Sequence, residues 1–132
     1  MFSINEYQQL IKKKYLLQKD MNYDLLQMYL QGLQDELHEV KNEIRENNQV
    51  YLEDELGDIL WDYMNILHVL EDKGLIADVE SVLTRSMQKY KERVDVILQS
   101  DRDISQQKKA WDTVKEKQKQ DLKQEHDALY HT

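Results

Sequence analysis

Apolar residues recur at helical spacing along most of the chain, and polar breaks cut the pattern into five segments. Residues 4–18 predict a first helix, with Ile4, Tyr7, Leu10, Ile11 and Leu17 on its apolar side. Lys12, Lys13 and Lys14 on that helix read as a solvated face. Lys19 to Asn22 is a break, with Asp20 or Asn22 as the N-cap of a second helix from about Tyr23 to Arg45. Gly32 lowers the stability of that helix and permits close packing by a neighbour. A third helix is expected from about Val50 to Glu71, closed by Gly74 as a C-cap. A fourth covers roughly Ala77 to Gln99 and packs through Val79, Val82, Leu83, Tyr90, Val94 and Ile97. Asp103 or Ser105 caps a fifth, an arm over about 104–128 with a thin apolar seam.

The segment from Leu33 to Asp62 repeats itself with a shift of nineteen positions. Leu33, Glu36, Leu37, Glu39, Val40 and Glu43 are echoed by Leu52, Glu55, Leu56, Asp58, Ile59 and Asp62. Leu33, Leu37, Val40 and Ile44 form one apolar stripe, and Leu52, Leu56, Ile59, Tyr63 and Leu70 form a second. At 100° per residue the acids fall about 60–140° from the centre of each stripe, on the same-handed flank. The polar link Glu46 to Gln49 is short enough to join antiparallel helices. Folded there, stripe against stripe, the two acid flanks share one face. Glu36 and Asp58, like Glu39 and Glu55, are symmetric about Asn47, so each pair is expected to meet.

Four converging carboxylates repel one another, and no Lys or Arg stands four residues along to neutralise Glu36, Glu39, Glu55 or Asp58. A solvated acidic face explains one such pair; two pairs in register favour a cage for a hard divalent cation, Mg²⁺ above all, with Mn²⁺ as a substitute. Arg85, Lys89 and Arg93 form an i, i+4, i+8 row on the fourth helix, either a solvated face or a clamp for a polyphosphate. Trp61 lies away from the stripe and reads first as a packing residue. Asn65, two turns beyond Asp58, offers a neutral hydrogen-bonding group.

Composition narrows the class. The 132 residues fit one domain, 1–132, and with no Pro and three Gly the class is all-α. The absence of Cys excludes a disulfide framework and a zinc–thiolate site. A net charge of −8 argues against general nucleic-acid binding. No signal peptide and no apolar run of membrane length is present, so a cytoplasmic protein without a membrane partner is expected. Helices this polar, at 33% charged residues, bury their remaining apolar strips in an oligomer, so a homodimer or homotetramer is expected.

The spacing Glu36-x-x-Glu39 and Glu55-x-x-Asp58 resembles the E-x-x-E…E-x-x-D signature of the all-α nucleoside triphosphate pyrophosphohydrolases, and MazG most closely. LQDELHEVKNEI (33–44) and LEDELGDILWDYMNIL (52–67) look like the two MazG motif helices. MQKYKERVDVI (87–97) and WDTVKEKQK (111–119) resemble two later MazG segments, and the likeness spans roughly Gln31 to Lys119. The upstream Pro-Trp-Asp stretch of many relatives has no counterpart.

The resemblance implies a MazG-like bundle of four to five helices, with its core over about 22–100. It also implies Mg²⁺-dependent cleavage of a nucleoside triphosphate between the α and β phosphates, as in nucleotide-pool housecleaning. Glu36, Glu39, Glu55 and Asp58 would hold metal, with Glu36 or Glu39 as general base. Lys89 and Arg93 would bind phosphates, and Asn65 and Trp61 are lesser candidates for sugar or base. A dUTPase-like or phosphoribosyl-ATP pyrophosphohydrolase of the same superfamily keeps the chemistry and changes the substrate. A non-catalytic helical interaction module is the reading from another class. A di-iron bundle needs Glu-x-x-His on two helices, which the chain lacks.

Overall fold

The computed structural model describes residues 1–21, 24–100 and 103–130. All regular structure in these residues is helical, as the apolar spacing predicts: α1 (Ile4–Gln18), α2 (Leu25–Glu43), α3 (Gln49–Asp72), α4 (Val79–Gln99) and α5 (Ile104–Leu129). No helix among them is long and apolar enough to cross a membrane. The chain divides into two compact units, Met1–Val79 and Glu80–Thr132.

Local chemistry sets the helix ends. Ser3 accepts a hydrogen bond from the Glu6 N–H at 3.1 Å, and Asp24 accepts one from the Gln27 N–H at 3.1 Å, each satisfying a first-turn donor. Asp24 therefore caps α2, in place of the expected Asp20; the other expected cap, Asn22, lies outside the described residues, as does Tyr23. The helix stops at Glu43, two residues short of expectation, because Ile44 turns to extended backbone. Past α3, Gly74 takes φ +73°, and the Leu75 N–H donates to the Leu70 carbonyl at 3.0 Å, closing the helix as its glycine predicts. Asp103, rather than Ser105, caps α5 by accepting from the Ser105 N–H at 2.9 Å.

In the first unit, α2 and α3 pack as an antiparallel hairpin and α1 packs against α3. Asn48 holds the turn. Its buried Nδ2 donates to the Glu43 carbonyl at 2.8 Å and to Glu43 Oε2 at 2.5 Å, while Asn47 takes φ +56°. The core gathers at the far end of the hairpin, where Tyr15, Leu25, Tyr29, Ile66 and Val69 are buried. Leu33, Trp61 and Leu70 pack against that cluster. This changes the expected stripes: Leu37 and Leu56 are 50% and 48% exposed, and Ile44 and Tyr63 are exposed as well. Two helices bury only their shared seam; a third is needed to cover the shoulders, and α1 reaches only one end.

Tyr15 fastens α1 to α3. Its hydroxyl donates to Asp72 Oδ2 at 2.7 Å, and its ring meets His68 edge-on at 4.9 Å. Burial first, and the Asp72 hydrogen bond second, push its phenol up to about 12. Lys12 and Lys13 are exposed as predicted, but Lys14 is not. Its ammonium hydrogen-bonds the Tyr29 hydroxyl and lies 4.7 Å and 5.3 Å from the centres of the Tyr29 and Trp61 rings. Burial lowers its pKa. Gly32 has the close neighbour anticipated for it: a Cβ there would stand 3.0 Å from Asp62 Oδ2.

In the second unit α4 and α5 run antiparallel, Arg85 meeting Glu125 at 2.6 Å and Arg93 meeting Gln118 at 2.8 Å. The bridges between these helices are mostly polar, in keeping with the thin apolar seam of α5.

Asn48→Ala removes both hydrogen bonds to Glu43 and the one accepted from Arg45, and leaves the Glu43 carbonyl to find water. It should lower stability by about 1–2 kcal/mol, read as a shifted urea midpoint at unchanged slope.

Candidate metal centre

Glu36 and Glu39 stand one turn apart on α2, and Glu55 and Asp58 one turn apart on α3. The hairpin brings them together at its rim. One carboxylate oxygen from each of Glu36, Glu39 and Glu55 lies within 4.8 Å of the other two, and Asp54, Glu55 and Asp58 form a second such group. Glu55 belongs to both. The expected Glu39–Glu55 meeting is present, and each side chain acts directly on the other. Glu36 also closes on Glu55.

The electrostatics show what this convergence costs. Glu55 is raised above its ordinary value, first by its side-chain interaction with Glu36, then by burial and by the charges of Glu36 and Asp58. Glu39 is raised chiefly by the charge of Glu55. Asp62 is raised by burial and then by Asp58. Among the described residues none of these carboxylates forms an ion pair. Among the described residues, the buried Glu36 Oε2 and Glu55 Oε2 have no hydrogen-bond donor. A buried carboxylate oxygen with no donor is expensive. A hard cation answers the deficit, since it is bound by oxygen ligands and favours carboxylates, and the donor set here is entirely oxygen. The residues fit such an ion.

Two nearby groups were not anticipated. Asp54 joins the second cluster; its i, i+4 relation to Asp58 was the available signal. Tyr7 reaches the acids from α1, its phenol raised by burial and then by Asp58 and Asp62. Nothing in local spacing could place Tyr7 there, because its position depends on how α1 docks.

The remaining candidates stand apart from the four acids in character. Asn65 is 1% exposed, and its Nδ2 donates to the Trp61 carbonyl at 2.8 Å. Trp61 packs edge-on against Tyr7 at 5.9 Å, the packing role expected of it first. Lys89 and Arg93 belong to the second unit. Lys89 is half-buried, with its ammonium 5.5 Å from the Tyr90 ring centre. Arg93 is buried against Tyr90 and Trp111. Arg85, the third member of the row, is paired with Glu125.

Carboxyl groups whose folded pKa is raised hold more protons in the folded than in the unfolded state, between the ordinary value and the raised one. Stability therefore falls as pH climbs through that window, and the deficit stands in full above it. In EDTA at neutral pH, Glu39→Gln should melt at a higher temperature than the unsubstituted protein. The gap should close as pH drops toward the ordinary carboxylate range; thermal melts across pH read both effects.

The family model for the MazG nucleotide pyrophosphohydrolase domain matches residues 26–97. That span contains all four acids, Asn65, Trp61, Lys89 and Arg93, and ends before α5, so the segment 111–119 lies beyond it. No curated protein and no solved structure matches the chain. The matched span is more than half of the protein, and the chain belongs to the MazG nucleotide pyrophosphohydrolase family.

Proposed function

We propose that the protein hydrolyses a nucleoside triphosphate at the α–β phosphate bond, giving a nucleoside monophosphate and pyrophosphate, with Mg²⁺ held by Glu36, Glu39, Glu55 and Asp58. The observation that carries this reading is the pair of buried, donorless oxygens on Glu36 and Glu55 inside a cluster of carboxylates. Two oxygen groups sharing Glu55 are compatible with more than one ion. Mn²⁺, with the same taste for oxygen ligands, is the natural substitute.

When bound, Mg²⁺ supplies neutralisation of the triphosphate, polarisation at the α-phosphorus and activation of water. Water oxygen bonds to the α-phosphorus while the bond from that phosphorus to the bridging oxygen breaks. The proton passes to Glu36 or Glu39, and the bridging oxygen departs with pyrophosphate. Lys89 and Arg93 are assigned to the β and γ phosphates, where negative charge grows. Trp61 and Asn65, both engaged in packing and hydrogen bonding within the first unit, are assigned a secondary part toward sugar or base. Clearance of surplus or damaged nucleotides is the role that this activity would serve.

A homo-oligomer, dimer or tetramer, belongs to the same reading. Leu30 and Leu37 on α2, and Leu56 and Tyr63 on α3, are exposed at seven-residue intervals, a seam that a second hairpin could cover. Leu56→Glu should reduce the assembly to monomer in sedimentation experiments.

Pyrophosphate release from a panel of canonical, deoxy and modified triphosphates with Mg²⁺ tests the reaction. Glu39→Gln should slow release by about a hundredfold or more while the helical circular dichroism spectrum persists. Unchanged release in Glu39→Gln would remove the site. Mg²⁺ should also raise the melting temperature of the unsubstituted protein more than that of Glu55→Gln.

A further inference from the structure

Arg93 is a charged side chain only 6% exposed, yet no carboxylate pairs with it among the described residues. A buried guanidinium without a counter-charge is costly, and the cost is offset when an anion arrives. Its Nε donates to Gln118 Oε1 on α5 at 2.8 Å. Gln118 is itself held from the other end: its Nε2 donates to the Lys89 carbonyl at 3.0 Å and to Glu92 Oε2 at 3.3 Å. Those two acceptors fix the amide with its oxygen toward Arg93; the reverse orientation would set two donors against each other. The guanidinium carbon also lies 5.3 Å from the Tyr90 ring centre and 5.2 Å from that of Trp111.

We propose that Gln118 is a positioning residue for phosphate binding, orienting Arg93 through Nε without cancelling its charge. The inference rests on the assignment of Arg93 to the substrate's phosphates. A neutral acceptor suits this task. A carboxylate in its place would keep the hydrogen bond and consume the positive charge, whereas an apolar side chain would keep the charge and release the rotamer. With Nε engaged, the two terminal amines are the donors left to the guanidinium for phosphate oxygens. Fixing the side chain beforehand lowers the entropy lost on binding. The Tyr90 and Trp111 rings restrict the guanidinium further while leaving it cationic. Helix α5, which lies past the matched family span, thereby contributes to the clamp on α4.

Calorimetric binding of inorganic tripolyphosphate in the presence of Mg²⁺ tests this on the full chain, with melting curves recorded for each variant. Gln118→Met should weaken binding by about tenfold, within the range of coupling between contacting residues. Gln118→Glu should weaken it at least as much despite retaining an acceptor for Nε. In an Arg93→Met background, Gln118→Met should change affinity by less than about twofold. Equal losses in both backgrounds, or unweakened binding by Gln118→Glu, would overturn the positioning role while leaving Arg93 as a phosphate ligand. Equal affinity of the unsubstituted protein and Arg93→Met would remove Arg93 from phosphate binding, and this inference with it.

Discussion

Mutual repulsion among carboxylates at the rim of the α2–α3 hairpin is the constraint around which the first unit is arranged. Glu36 and Glu55 each turn a buried oxygen toward a space with no donor, and Glu39 and Asp58 press more charge on the same region. Such a cluster survives only where the backbone cannot retreat. Asn48 ties the end of α2 to the start of α3, and the core around Tyr29, Ile66 and Val69 holds the opposite end of the pair. Hydrophobic burial and a tethered turn thus bracket the acids and hold them in a disposition their charges oppose. A cluster held in this way costs some stability, and a cation bound there would restore it.

The acids were legible in the sequence because two independent regularities agreed on them. Helical periodicity placed each pair on a flank, and the shared centre at Asn47 set Glu39 against Glu55, whereas Glu36, matched there with Asp58, groups with Glu55. The core was less legible. Both stripes continue past the part that is buried, and only the docking of α1, through Tyr15 onto His68 and Asp72, decides which stretch becomes interior. Lys14 escaped for a related reason: its neighbours in the chain predict a solvated row, whereas its aromatic contacts come from α2 and α3. Tyr7 near Asp58 and Asp62 is a third case of the same kind. Pattern within a helix is local information, and contacts between helices distant in sequence are not.

The second unit shows the limit from the other side. Its basic row could be read from spacing, but the row is not uniform. Arg85 is spent on Glu125, Lys89 rests over Tyr90, and only Arg93 combines deep burial with an unpaired charge. The partner that distinguishes it, Gln118, sits in a helix so rich in Lys, Gln, Asp and Glu that no single polar residue stands out by composition. Polar bridges between helices leave little trace in hydropathy, although they determine which of several similar cations is held in one pose.

Gly32 carries a consequence for engineering. Viewed within α2 alone it is a defect, and replacing a mid-helix glycine by alanine commonly recovers about 1 kcal/mol. Here an added methyl would stand 3.0 Å from Asp62 Oδ2, so the carboxylate would have to give way by a few tenths of an ångström. Asp62 is partly buried and feels Asp58, so displacing it redistributes charge along the acid row. A thermostabilisation campaign guided by helix propensity would target this position, and would be trading helix stability against the electrostatic layout of the neighbouring helix.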